Sequence, residues 1–433
     1  MSAWLVTRTW ILVGIRRLRP GVSEDLAWLI DLLWRPSEKL SVSTDPGPPK
    51  SGYRTTDSFA VLPTASRPRF LVPLDSRRAA SASLRLYNAL RPPRRRLARA
   101  VIGMGLRAGI AQPLLRDRVR VSVAGDVSTG DLSDLLLGEH LRNLFGGQDV
   151  RTAIGIGGPG PYRKPVLQAL TPDGDVLGYV KLGWNDVTRR LVRNEARALA
   201  AWMENPSERL GVPRLIHHGP WRDLQLTIAS PLPTVVRRYR SQAPPPLDVT
   251  RAIAELYGTT ASSLAESRYW NRLRERLSAS LATNPRESGD GLSGLIDGLE
   301  HRYGNERLTF GAWHGDLAPW NLAWVDHRLF VWDWEHSADE VPVGFDLLHF
   351  EFQMAFILKR TSLREAVSRC RRRGLPQLQA LGVSGSAGGL VLSLYLLEMF
   401  FRYDEAMRAG AGRNPRFYPE ILTVLTADLE RLG

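Results

Sequence analysis

The chain has 433 residues, 43% of them apolar and 24% charged, proportions of a globular protein long enough for two or three domains. A single cysteine, Cys370, excludes an internal disulfide framework and fits a reducing, cytoplasmic compartment. The formal net charge is +14 and nearly all of the positive charge is arginine, with five lysines at 39, 50, 164, 181 and 359. This is the usage of a GC-rich bacterial genome rather than a functional signal.

The start of the chain holds an apolar patch over residues 10–15, too short to span a bilayer, with Arg8 upstream and Arg16-Arg17 directly after it, an order unlike that of a signal peptide. Residues 25–34 are expected to form a short helix. Residues 41–55, rich in Pro, Ser and Gly, read as a loop or linker. Short strands are expected at 59–63, 70–73 and 119–123, and helices at 81–90 and 97–108, broken by Pro92-Pro93. A further helix runs from Thr129 to Leu144, where Gly146-Gly147 stop it. Residues 1–150 carry 23 basic against 13 acidic residues, most densely over 91–99. That run can meet an acidic partner, a membrane surface or nucleic acid. The plainer reading, a solvated basic helix start, is preferred, and no sequence-specific nucleic-acid binding is expected.

From residue 149 the pattern sharpens. Strands are expected at 150–156, 165–170 and 176–182, a helix at 188–203, and two more strands at 214–218 and 224–229. After Ser230-Pro231-Leu232-Pro233 the chain turns helical, at 247–264, 269–282, 292–303, 345–359, 390–408 and 419–431, with a short strand at 329–334. The apolar run over 389–401 contains Glu398 and reads as a buried helix. The domain division is therefore 1–148, a basic extension of unknown role; 149–230, a β-rich lobe; and 231–433, a helical lobe.

The chemistry concentrates in Trp313-His314-Gly315-Asp316-Leu317-Ala318-Pro319-Trp320-Asn321 and Val331-Trp332-Asp333-Trp334-Glu335. An acid two residues after a histidine can orient a hydroxyl and accept its proton, and an Asn and an Asp further on are oxygen donors of the kind magnesium prefers. Asp316 is thus the candidate base, and Asn321 and Asp333 the candidate metal ligands. His314 is read as a scaffold residue that shapes the loop, and Asp346 as an N-cap or loop anchor. Glu335 is either a second metal ligand or a neighbour of one. The tryptophans are mostly packing, with Trp320 nearest to substrate contact. Upstream, Gly155, Gly157 and Gly160 match a G-x-G-x-x-G turn between strands, which can cradle phosphate but which any tight hairpin also needs. Lys181 lies in an apolar strand, with Glu195 on the following helix as its natural partner, a pair suited to holding phosphate oxygens.

Together these residues resemble the aminoglycoside phosphotransferase family, which includes choline, homoserine and fructosamine kinases. The family pattern H-G-D-x-x-x-x-N followed by D-x-[DE] corresponds here to His314–Asn321 and Asp333–Glu335, and Pro342–Leu347 resembles the element that follows it. The resemblance covers about residues 149–433. It implies an α+β, two-lobed protein-kinase-like fold, with a small β-rich N-lobe and a larger helical C-lobe, to which the extension would add α/β structure. It further implies ATP and Mg²⁺ as cofactors, Asp316 as base, Asn321 and Asp333 on magnesium, and Lys181 with Glu195 on the phosphates. The stretch Thr227–Leu232 resembles the hinge whose backbone, at Thr227 and Ala229, would meet adenine. Trp320 departs from the family, whose members often carry Gly there.

The expected activity is phosphoryl transfer to a hydroxyl of a small molecule such as a sugar, glycoside or aminoglycoside. A nucleotide-binding regulatory protein or pseudokinase, using the basic region for interactions, is the alternative. A protein kinase is disfavoured, because too few residues separate Asp333 from Asp346 for an activation segment.

Overall fold

The computed structural model describes residues 16–17, 21–45, 47–85, 93–233, 235–283, 285–383, 385–412, 414, 416–417, 420–432. The apolar patch at 10–15, the end of the helix expected over 81–90, and Arg91-Pro92 lie outside them. The chain divides into two compact units: Met1–Pro159, Arg163–Val192 and Ile216–Pro231 form one, and Gly160–Tyr162, Arg193–Leu215 and Leu232–Gly433 the other. Sheet and helix are largely segregated, an α+β architecture.

In chain order the first unit begins with β1 (Arg16–Arg17), α1 (Glu24–Leu33), β2 (Leu40–Ser43), β3 (Tyr53–Thr64) and β4 (Arg67–Pro73). Helices α2 (Arg77–Arg85) and α3 (Pro93–Arg107), strand β5 (Arg118–Ala124), and helices α4 (Leu132–Leu135) and α5 (Leu137–Leu144) follow. Next come β6 (Arg151–Gly155), β7 (Val166–Leu170), β8 (Val176–Gly183) and α6 (Asp186–Glu204), then β9 (Leu210–Gly211) of the second unit, and β10 (Leu215–Trp221) and β11 (Leu224–Ala229).

One ten-stranded sheet takes all of these strands except β9, in the order β1-β2-β5-β3-β4-β6-β7-β8-β11-β10. The junction falls where β4 pairs antiparallel with β6, Phe70 opposite Gly155 and Leu71 opposite Ile154. The boundary expected at 148/149 is therefore a turn within a unit, not a break between sheets. The core agrees, since one continuous cluster of buried side chains runs from Leu26, Val42 and Val121 to Ile154, Val180 and Ile228.

Local sequence explains the pieces. The hydroxyl of Ser23 caps α1 by accepting from Leu26 N, acids fill the first turn, and Leu26, Leu29, Ile30 and Leu33 bury one face. The linker expected over 41–55 instead opens with β2, because Leu40 and Val42 are fully buried against β5. The helix expected over 129–144 is broken at Leu136, which takes an extended conformation between α4 and α5.

The second unit holds β12 (Arg237–Arg238), α7 (Leu247–Ala254), β13 (Thr260–Ser263), α8 (Arg268–Thr283), α9 (Pro285–Tyr303) and β14 (Arg307–Trp313). Strands β15 (Leu322–Val325), β16 (Arg328–Val331) and β17 (Ala338–Pro342) follow, then α10 (Phe345–Gln353), α11 (Leu363–Arg369), α12 (Leu375–Leu381), α13 (Gly385–Arg408) and α14 (Ile421–Leu432). The long helix expected over 247–264 ends at Ala254. Gly258, at φ +83°, turns the chain so that Thr260–Ser263 pairs with β14. The apolar run over 389–401 is the buried middle of α13.

Candidate active site

Strand β14 ends at Trp313, and the residues from His314 to Asn321 form a loop held from three sides. From α10, the carboxylate of Asp346 accepts from His314 N (2.8 Å) and Gly315 N (3.2 Å). From α13, Arg402 donates to Gly315 O at 2.7 Å, with its guanidinium 4.9 Å from the centre of the Trp313 ring. Gly315 itself has φ +79°, and a Cβ there would collide with the carbonyl oxygen of His336, so no other residue fits. Asp346 is thus the loop anchor. Full burial pushes its pKa up to about 7, against the two amide donors and Arg402.

His314 is fully buried. Its Nδ1 accepts from Asp316 N at 3.1 Å, and its Nε2 donates to Trp332 O at 3.0 Å. Acceptance at Nδ1 needs the neutral ring with its proton on Nε2, and burial lowers its pKa to about 4. The ring also lies edge-on to Trp334, 4.6 Å between centroids. Its place is that of a strut joining the two motif segments.

The carboxylate of Asp316, with its side chain one-quarter exposed, is surrounded by donors. Oδ2 accepts from Asn321 Nδ2 (2.8 Å) and Trp320 Nε1 (3.2 Å), and Oδ1 lies 3.3 Å from His349 Nε2. A carboxylate offers about four acceptor positions, so one remains, on Oδ1, for an incoming hydroxyl. Burial works to raise the Asp316 pKa, but the hydrogen bond donated by His349 opposes it, and the group is held below the usual carboxylate range. The group is therefore an ionised orienting acceptor rather than a strong base.

His349, on α10, was not singled out in the sequence. An ionised carboxylate only accepts, so Nε2 carries the proton, and Nδ1, 3.2 Å from the Tyr395 hydroxyl, accepts from it. Gln353 stands 3.1 Å from the same Nε2, and its carbonyl oxygen is the atom that suits a donor there. Burial lowers the His349 pKa and keeps the ring neutral. A readable signal existed, since His349 lies three residues after Asp346 and so on the same helix face.

Asn321 is buried in the single helical turn Pro319–Asn321, and its Nδ2 also donates to Asp316 O at 2.9 Å. That commitment leaves Oδ1 as the atom able to bind a cation. Asp333 sits at φ +70°, the left-handed region that Asp tolerates better than most residues. Its carboxylate lies with those of Glu195 and Glu335, ligand atoms within 4.8 Å of one another. Three carboxylates are hard donors of the kind that suits magnesium.

Glu195 lies on α6 and Lys181 on β8. Lys181 is partly exposed between the fully buried Val180 and Leu182, and pairs across to Thr227 on β11 and Val166 on β7. The Thr227 hydroxyl donates to Val192 O at 2.9 Å and is 2.8 Å from His218 Nδ1, so its side chain is structural. Ala229 pairs with Tyr179 near the point, after Pro231, where the first unit ends. Gly155 closes β6. Gly157 has φ +78°, and a Cβ there would stand 2.9 Å from Lys164 O, while Gly160 has φ +130°. Hairpin geometry alone thus demands glycine at 157 and favours it at 160.

The base of this turn is gripped by α1. Arg163 donates to Asp25 at 2.7 Å, its guanidinium lies 4.1 Å from the centre of the Trp28 ring, and its carbonyl accepts from Trp184 Nε1 at 2.7 Å. Trp28 and Trp184 in turn meet edge to face, 5.6 Å between centroids.

No family model matches the sequence, and no curated protein matches it. Among solved structures, the chain is similar to a choline kinase of Streptococcus pneumoniae, at 12% identity over 68% of this chain and 98% of that one, with a TM-score of 0.42. It is also similar to a thermostable mutant of an aminoglycoside phosphotransferase in ternary complex with ADP and hygromycin B, at 12% identity over 67% and 98% of the chains, with a TM-score of 0.43. A glucosamine kinase is similar at 15% identity over 65% and 94%, with a TM-score of 0.31.

Proposed function

We propose that the chain is an ATP- and magnesium-dependent phosphotransferase that moves the γ-phosphoryl group to a hydroxyl of a small molecule. The observation that carries this reading is the Asp316 carboxylate, which is ionised, fixed by Asn321, Trp320 and His349, and left with one acceptor position. A group held in this way suits a transfer in which the acceptor hydroxyl needs orientation first and loses its proton late. Asn321, Asp333, Glu335 and Glu195 are the residues that would hold magnesium, whose role is to neutralise charge on the phosphates. In this reading the turn at Gly155, Gly157 and Gly160 and the ammonium of Lys181 contact phosphate oxygens, and the backbone at Thr227 and Ala229 meets the adenine. Trp320 stands beside Asp316 and offers its ring to an apolar or sugar face of the acceptor.

The test is a screen for ADP release from Mg-ATP across sugars, amino alcohols and aminoglycosides. The expected outcome is an acceptor that stimulates release. Asp316→Asn should lower turnover about 10²–10⁴-fold, the usual worth of a positioned acid–base group, with nucleotide-induced thermal stabilisation retained. Stabilisation by Mg-ATP with no acceptor in the screen would instead point to a regulatory nucleotide-binding protein.

A further inference from the structure

Helix α3 carries most of its large apolar side chains on its outer side. Its inner stripe is Arg99, Gly103 and Leu106: the Arg99 guanidinium lies 4.9 Å from the centre of the Phe70 ring, a Cβ at Gly103 would meet Ser81 O at 3.3 Å, and Leu106 packs with Val72, Ala80 and Leu84. Leu97, Val101 and Met104 repeat the same spacing on the outer side, 68%, 55% and 63% exposed, and Ile110 just beyond the helix is 71% exposed. With Ile102, five of the eleven exposed large apolar side chains among the described residues fall between 97 and 110. Scattered exposed apolar residues are ordinary; a cluster on one helix face marks a partner.

The charge around this stripe says which partner. Between Asp75 and Asp117 the chain has ten arginines and no acidic residue. Arg94, Arg95 and Arg96 stand in the first turn of α3, and an exposed Arg107 in its last. A second copy of this surface would bring arginines to arginines with no acid on either helix to answer them. An anionic lipid surface answers both features at once, taking the apolar stripe into the acyl boundary and the guanidinium groups onto the headgroups.

We propose that α3 is a membrane-surface helix that seats the first unit on anionic phospholipid, with Leu97, Val101 and Met104 entering the interface and the flanking arginines meeting phosphate. No helix among the described residues is long and apolar enough to cross a membrane, so attachment is peripheral and reversible by salt. This does not depend on the phosphotransferase reading.

The test is flotation of the full chain with vesicles of phosphatidylcholine, with and without phosphatidylglycerol. Binding is expected only with phosphatidylglycerol and should fade as salt rises, each Arg→Gln change at 94, 95 or 96 weakening it about fivefold. The combined variant Leu97→Glu, Val101→Glu, Met104→Glu should stay with the unbound protein, while circular dichroism and the thermal midpoint confirm its fold. If that variant does not fold, Leu97→Ser with Met104→Ser serves in its place, with weaker binding expected. Equal binding by wild type and folded stripe variants overturns the proposal. So does a wild type that ignores anionic vesicles at low salt, including the case where light scattering shows a dimer that the stripe variants split.

Discussion

At the scale of single residues, the candidate stretch is legible because its residues lie close together in sequence. The types and spacing of Asp316, Asn321 and Asp333 make them candidates, and His314 reads as a scaffold residue that holds the backbone through two hydrogen bonds. What escaped was the group behind the carboxylate, because His349 reaches Asp316 across 33 residues, and no local pattern encodes that approach. His314 gives a prediction of its own. Its folded pKa of about 4 lies below the ordinary histidine value, so below pH 6.5 the unfolded chain takes up a proton that the folded chain refuses. His314 should therefore contribute a loss of up to about 3 kcal/mol as pH drops from about 6.5 to about 4, while Asp346, with its pKa raised to about 7, works in the opposite direction over the same range. The difference between wild type and His314→Gln in urea midpoints isolates the histidine: the variant should lose less, or gain more, stability on acidification. Parallel profiles for the two proteins would show that His314 contributes no pH dependence.

At the scale of elements, strands and helices with a strong apolar period appeared where expected, including α1, β5, β8, α6 and α13. The misses have physical causes. Strand β2 hides in a Pro- and Ser-rich stretch because only Leu40 and Val42 of it are core residues. Strand β13 is polar and exists because β14 offers it an edge. The clamp of α1 on the glycine turn was also unreadable, since Asp25 and Arg163 are 138 residues apart. Its consequence is measurable. Removing the Asp25 carboxylate leaves a guanidinium that is only 8% exposed without its acid, and the turn it carries should lose definition. For Asp25→Ala we expect the KM for ATP to rise about tenfold, the worth of one charge-assisted hydrogen bond of about 1.5 kcal/mol, with kcat within about twofold. Steady-state titration of ATP at saturating acceptor reads this directly, and an unchanged KM would leave the clamp a purely stabilising contact.

At the scale of the molecule, the sequence suggests an extension followed by a lobe, because the strand pattern sharpens and the family resemblance begins near residue 149. Apolar period marks where strands lie, not which strands pair, and pairing is what joins the two regions. Strands β2 to β5 continue directly into β6 to β8, and the buried cluster beneath them is single. A chain beginning at residue 149 would lose the β4–β6 pairing and the part of the buried cluster that Leu26, Val42 and Val121 supply. We expect it to be insoluble, or to show no cooperative thermal transition, whereas the intact chain shows one. Soluble expression of that fragment with a sharp melting transition would contradict the shared core.

The continuous sheet also bears on ancestry. A module that folds alone can be exchanged between genes like a bead on a string. A segment that supplies four inner strands of its neighbour's sheet cannot, because a recombination event cutting near residue 149 would leave two open edges and two half-built cores. The basic region, with its outward-facing helix, and the strand bearing Lys181 must therefore travel through lineages as one inheritable piece.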